Sequence, residues 1–268
     1  METALSTTTQ SSGMSLFGKV KAALQEVGID LGEIVETYAF FSEQLQQDPD
    51  FKIPTYRAKV PAGGGSAFEI ITGDEEMDTV TQRFSGVVAA FHNTNVMFES
   101  DEDATDGTNI PLCQSSDGKI GVERETGEAI DCATCPHDQW GTDKKAGRGK
   151  ACKNMRRLYV LVEGCSLPIV LSLSPTSIRG WEAYRAQLAV DRKTPLDVIT
   201  EFSLKKEINK EGKPYSVVKF KAVGALSTEN RLTAKTLSGS DPYDKSMSHD
   251  DYDVPVAEGE GQEGEANV

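Results

Sequence analysis

Four of the chain's five cysteines, Cys113, Cys132, Cys135 and Cys152, cluster in one stretch, and Cys132-Ala133-Thr134-Cys135 forms a Cys-x2-Cys knuckle. The flanking thiols stand 18 residues before the knuckle and 16 after it. Two arms of nearly equal length can fold back on the centre, so that four thiolates meet one tetrahedral Zn2+ ion. Such a closed site leaves no position for water, and the expected zinc is structural. His137, two residues past Cys135, can stand in for one thiolate. Two other readings compete: scattered reduced thiols, and redox chemistry at Cys132 and Cys135, around which no thioredoxin-like βαβ pattern is found. Cys165 lies among strand residues and reads as a buried free thiol.

Directly after the knuckle the chain turns basic. Lys144, Lys145, Arg148, Lys150, Lys153, Arg156 and Arg157 follow one another without an acid, and the interleaved Gly147 and Gly149 permit close backbone approach. Such a run can neutralise several phosphates. Trp140 and Tyr159 bracket it, and Lys205, Lys206, Lys210, Lys213, Lys219 and Lys221 recur further on among Phe202, Tyr215 and Phe220. Aromatic faces stack on unpaired bases at roughly 1–3 kcal/mol each, whatever the sequence. The plainer reading is a solvated lysine face over core aromatics. Strict alternation turns Phe202 inward with Leu204, leaving Trp140 and Tyr215 as the better stacking candidates.

No catalytic constellation competes. The histidines are His92, His137 and His249, and neither a Gly-x-Ser-x-Gly, a P-loop nor a His-Glu-x-x-His occurs. Asp74, Glu75, Glu76 and Asp78 could chelate magnesium, but a run of adjacent acids also describes a solvated turn. The expectation is a binding protein and not an enzyme, with a nuclease as the enzymatic alternative.

Charge places the chemistry. The chain has 268 residues and a net charge of -14, which taken alone argues against nucleic acid. Residues 1–143 carry 25 acids and 8 bases, residues 144–235 carry 8 acids and 19 bases, and residues 236–268 carry 9 acids and 1 base. A cationic block thus sits between two anionic ones. No apolar run approaches the roughly 18–20 residues of a membrane span. The odd cysteine count and an amino terminus without a secretory pattern point to a reducing, cytoplasmic setting.

The elements that must position these groups follow from periodicity. Residues 1–14 read as a disordered leader and 15–65 as a helical hairpin and linker. In that hairpin Leu16, Phe17, Val20, Leu24 and Val27 stripe one helix; Asp30 and Glu33 cap a second that carries Ile34, Val35, Tyr38, Phe41 and Leu45. It is either a packing element or a self-association arm. Strands are predicted at 68–71, at 84–98 as one long strand or a bent pair, and at 158–162, 169–173, 198–204 and 215–223. Ser174-Pro175 opens a helix whose face is Ile178, Trp181, Tyr184 and Leu188. The stretch 107–155 has almost no aliphatic residue, so the metal substitutes for a core there. Residues 228–268 read as a disordered acidic tail.

Short strands with a helix between the middle ones are compatible with a five-stranded OB barrel. The expected fold class is therefore β-rich α+β: an OB-like Greek-key barrel over 66–227 with an inserted zinc loop, an N-terminal helical hairpin and the acidic tail. In this architecture residues 66–268 resemble the single-stranded-DNA-binding replication proteins of tailed bacteriophages, a group that includes zinc-bearing and acidic-tailed members. The chain departs from the best-known members in two ways: its ligand set is four cysteines instead of one histidine and three cysteines, and its end, Ala266-Asn267-Val268, is not aromatic. The resemblance implies a protein that coats single strands in replication, recombination or repair, in the host bacterial cytoplasm. Its DNA-contacting candidates are Trp140, Lys144, Lys145, Arg148, Lys150, Lys153, Arg156, Arg157, Tyr159, Lys205, Lys206 and Tyr215. The tethered tail can compete with phosphates for the cationic block and, once freed, recruit replication or recombination proteins, or else simply keep the protein soluble. A zinc-ribbon protein–protein adaptor, such as a transcription or replication regulator, is the alternative.

Overall fold

A computed structural model describes residues 32–48, 56–61, 63–73, 76, 78–98, 111–143, 149–163, 165, 167–210 and 212–238. The leader, the first expected helix, the acidic turn after residue 98 and the segment 239–268 lie outside the described residues.

Helix α1 (Gly32–Gln47) precedes strands β1 (Tyr56–Lys59), β2 (Phe68–Ile71), β3 (Thr79–Thr81), β4 (Arg83–Phe98), β5 (Pro111–Ser115), β6 (Ile120–Glu123) and β7 (Ala129–Asp131). Then come β8 (Cys152–Leu161), β9 (Ile169–Leu173), helix α2 (Pro175–Val190), β10 (Val198–Ile208), β11 (Pro214–Ala225) and helix α3 (Thr228–Ser238). The protein is β-rich α+β with one mixed, open sheet in the order β3-β2-β1-β9-β8-β4-β5-β6-β7. All described pairings are antiparallel except β1 with β9.

Strand β4 organises this sheet. Its first residues, Arg83–Gly86, pair with β10; Val87–Met97 pair with β8; Asn95–Phe98 pair with β5. A bulge between Val88 and Ala90 bends it, as an extra residue on one strand does. The hairpin β10–β11 is thereby joined to the first residues of β4.

Both faces of the central strands are covered, which is why the Leu158–Leu161 end of β8 reads as an unbroken apolar run. Leu158 and Val160 point to the side of α2, where Trp181, Tyr184 and Leu188 meet Val88, Leu171, Leu173, Phe202 and Val218. Tyr159 and Leu161 point the other way, into Val87, Ala89, Val170 and Ile199, with Ile34 of α1 and Ala234 of α3. Phe91, Trp181, Phe220, Phe202, Phe84 and Phe68 form a chain of ring contacts at 4.8–5.9 Å through the first face. Tyr184 satisfies its hydroxyl on Thr200 at 2.8 Å, so the polar end of a buried ring has a partner.

The acidic tail expected from residue 228 does not begin there. Thr228–Ser238 is helix α3, held by Ala234 in the second core and by an ion pair from Arg231 to Asp197. One buried alanine and one guanidinium anchor a helix whose own sequence is mostly polar. The aliphatic-poor stretch also differs from expectation: β5, β6 and β7 continue the sheet beyond β4 as a meander. Asp117 fixes its first turn, its Oδ1 accepting from Lys119 N at 2.7 Å, Ile120 N at 3.0 Å and Ser115 Oγ at 3.0 Å. Those donors hold the carboxyl below its usual range despite partial desolvation. Among the described residues no helix is long and apolar enough to cross a membrane.

Candidate functional site

The sheet itself gathers the cysteines. Met97 of β4 is flanked in register by Cys113 of β5 and Cys152 of β8, and residues directly opposite share a face. Cys132 and Cys135 arrive in the turn after β7: Cys132 N donates to Lys119 O at 2.7 Å, and Ala133 N donates to Asp131 Oδ1 at 2.9 Å. A short helical turn at Pro136–Asp138 then closes the knuckle. All four thiols line a single pocket of about 70 Å3, with Glu123, His137 and Asp138 at its wall. Gly121 makes room for them. A Cβ there would lie 2.9 Å from Cys113 Sγ and 3.6 Å from Cys132 Sγ.

Electrostatics marks the same convergence. Burial pushes the Cys113 thiol up, and the charges of Cys132, Cys135 and Glu123 push it further. Cys152 is pushed up to about 12, first by burial, then by Asp138 and the other three thiols. A divalent cation reverses this penalty, because it favours the thiolate forms that crowding disfavours. The thiols share a pocket and one another's fields, but they are not drawn to one point. Among the described residues no group of three or more His, Cys, Asp or Glu side chains stands in ligating geometry. The donor set fits zinc by chemistry and by neighbourhood, and the metal remains a proposal.

The basic run is laced with internal acids. Lys150 pairs with Asp138 at 3.0 Å and also donates to Asn154 Oδ1 at 3.1 Å. Lys153 pairs with Asp143 at 2.8 Å. Arg156 and Arg185 both reach Glu182 at 3.0 Å, and both guanidiniums lie over the Phe91 ring. Lys144, Lys145 and Arg148 are outside the described residues.

Two of the proposed DNA contacts need correcting. Tyr159 is 1% exposed and packs in the second core, with its ring 5.5 Å from that of His92; Arg157 is 2% exposed. With both faces of β8 covered, neither residue presents a surface to a strand. Trp140 is the opposite case at 80% exposed, on the loop after the knuckle, with Lys150 Nζ 5.8 Å from its ring centroid. At the far hairpin, Lys205 and Lys206 are exposed. Lys205 and Lys219 both approach Glu207, at 3.2 and 3.9 Å, and the Tyr215 hydroxyl donates to it at 3.3 Å. Glu207 is held below its usual range chiefly by the bond from Lys205.

Sequence reasoning missed the acids that answer the basic run. Asp138 and Asp143 lie 12 and 10 residues from their lysines, too far for helix or strand periodicity to pair them. It also left aside Asn93 and Asn95, whose alternate spacing on β4 was the available signal, and Asn154, which pairs with Asn95 across β8.

Among known proteins, no family model, no curated protein and no solved structure matches this chain.

Proposed function

We propose that the protein is a non-enzymatic single-stranded-DNA-binding protein of replication, recombination or repair, acting in a bacterial cytoplasm, with an OB-like core and one structural zinc ion. The observation that carries the reading is connectivity. A long bent strand, β4, pairs with both β8 and β10; β4, β8 and β9 form a meander; α2 follows; and β10–β11 closes as a hairpin. This order supports an OB-like reading, with one departure: β1 occupies the edge of β9 where the last strand of an OB barrel would close it. In OB domains the first-to-second and fourth-to-fifth strand loops flank the bound strand. Here the first carries the cysteine module and Trp140, and the second carries Lys210 and Lys213.

Cys113, Cys132, Cys135 and Cys152 would hold the zinc, which supplies cross-linking where apolar packing is sparse. Trp140 offers an exposed ring for base stacking. Lys150, Lys153 and Arg156, with Lys144, Lys145 and Arg148 of the same basic run, and Lys205 and Lys206 of the far hairpin would supply the cationic contacts. Residues 239–268 supply anionic charge that competes with phosphate. Their removal tightens oligonucleotide binding at low salt; equal affinity with and without them removes the gating step.

The internal acids favour a second reading. Asp138, Asp143 and Glu182 already answer Lys150, Lys153 and Arg156, as in a self-contained zinc module that docks a protein partner. A zinc-loaded sample that binds no oligonucleotide selects this adaptor.

A further inference from the structure

The strongest feature left unused is a row of asparagines. In register, Asn93 of β4 faces Arg156 of β8, and Asn95 faces Asn154. Alternation puts all four on the sheet face that carries Phe91 and Leu158 before them and Met97 and Cys152 after them. Along this face the side chains change from apolar, under α2, to amide and then to thiol. Over the amides lies a cleft of about 410 Å3, bounded by Ile178 of α2 on one side and by the β5–β6 turn with Lys119 on the other. That volume suits a small organic ligand.

The cleft is built, not incidental. Asn95 is 5% exposed and accepts from Asn154 Nδ2 at 3.0 Å, while Lys150 donates to Asn154 Oδ1 at 3.1 Å. This relay fixes two amide planes. The turn crosses close over Asn93: Gly118 has a φ of 71°, and a Cβ on it would lie 2.7 Å from Asn93 Cβ. A side chain there would close the mouth.

An amide presents a donor and an acceptor side by side, the pattern that matches the edge of a nucleobase. Lys119 and Arg156 add cationic groups of the kind that hold phosphate. We propose that this cleft takes one unstacked nucleobase of a bound single strand, its edge met by the amides of Asn93, Asn95 and Asn154 and its phosphate by Lys119 and Arg156. The proposal rests on the single-strand reading and deepens it. Lys150 donates to Asn154 and lies 5.8 Å from the Trp140 ring centroid, so a strand with one base in the cleft can place another on the tryptophan. Binding therefore carries a modest base preference on top of general affinity.

The test uses the zinc-loaded full chain with nitrogen-15 label, read by side-chain amide resonances. The probes are deoxyadenosine and thymidine monophosphates, deoxyribose 5-phosphate and a deoxyoligonucleotide. The asparagine amides shift with the mononucleotides and the oligonucleotide, and not with deoxyribose phosphate. Asn93→Ala and Lys119→Ala, both at exposed positions, each weaken mononucleotide binding roughly tenfold, the scale of one paired base contact, with an unchanged melting temperature. Oligonucleotide binding with unmoved amides overturns the cleft and leaves the strand-binding reading standing. Mononucleotide shifts without oligonucleotide binding do the reverse. Equal shifts with deoxyribose phosphate overturn base reading, and silence with every probe overturns both.

Discussion

Where β8 runs between β4 and β9 it buries Leu158, Tyr159, Val160 and Leu161 at 1% exposure or less; at its first residue it buries Cys152 among three other thiols. The same strand thus belongs to two regions held by different physics. One end is fixed by apolar area, covered by α2 on one face and by α1 and α3 on the other. The other end, with β5–β7, has few apolar side chains to bury and depends on hydrogen-bonded turns and, on the proposed reading, on metal. The difference teaches where function can sit. The β5–β7 region needs little of its surface for packing, and there Trp140 and the amide cleft stand open.

The comparison breaks most visibly on chelation. Removing zinc costs the cysteine module binding energy on the order of 10 kcal/mol, and replacing Cys152 with serine costs part of it. Amide exchange in β5–β7 becomes fast while α2 stays protected, and metal content falls from about one ion per chain. Loss of protection throughout would merge the two regions into one. Trp181→Ala strikes the apolar side instead: the ring is fully buried against Phe91 and Phe220, and its removal costs about 3–5 kcal/mol. Thermal unfolding drops by roughly 10 °C, with zinc content unchanged.

Trp140→Ala separates function from stability. Losing one stacking platform weakens oligonucleotide binding roughly tenfold and leaves the melting curve where it was. The smallest effect concerns how α3 is fastened. Asp197 accepts from Thr194 N at 2.7 Å and Thr194 Oγ1 at 2.8 Å, and pairs with Arg231. These partners hold its carboxyl below the ordinary range against the opposing effect of burial. A depressed pKa stabilises the fold above the unfolded value and loses that effect as pH falls through the folded one. Asp197→Asn therefore costs about 1 kcal/mol at neutral pH, and the difference from the parent vanishes in acid denaturation curves taken below the carboxylate range.

Legibility in the sequence followed the same division. Ile169–Leu173 and Pro175–Val190 are where their residues predict a strand and a helix, because a short aliphatic run and a proline at the first helical turn are local signals. The strands β5–β7 gave no such signal. They are three to five residues long and owe their pairing to the Asp117 turn and to β4. Helix α3 was illegible because a single alanine anchors it to the core. Tyr159 and Arg157 were misplaced for a related reason: in a strand buried on both sides, alternation cannot say which residues reach solvent. The thiol cluster was legible from spacing, whereas the pairing of Lys150 and Lys153 was not, since their partners come from another turn of the same loop.

On the proposed reading, the open side of this sheet binds unpaired DNA. Its most direct test is the affinity of the zinc-loaded full chain for one fluorescent oligonucleotide, single-stranded and as a duplex, across a salt series. Tighter binding to the single strand is expected, with log affinity falling linearly in log salt by about 0.7 per phosphate neutralised. Saturable preference for the duplex, or no binding of either form at low salt, would contradict it.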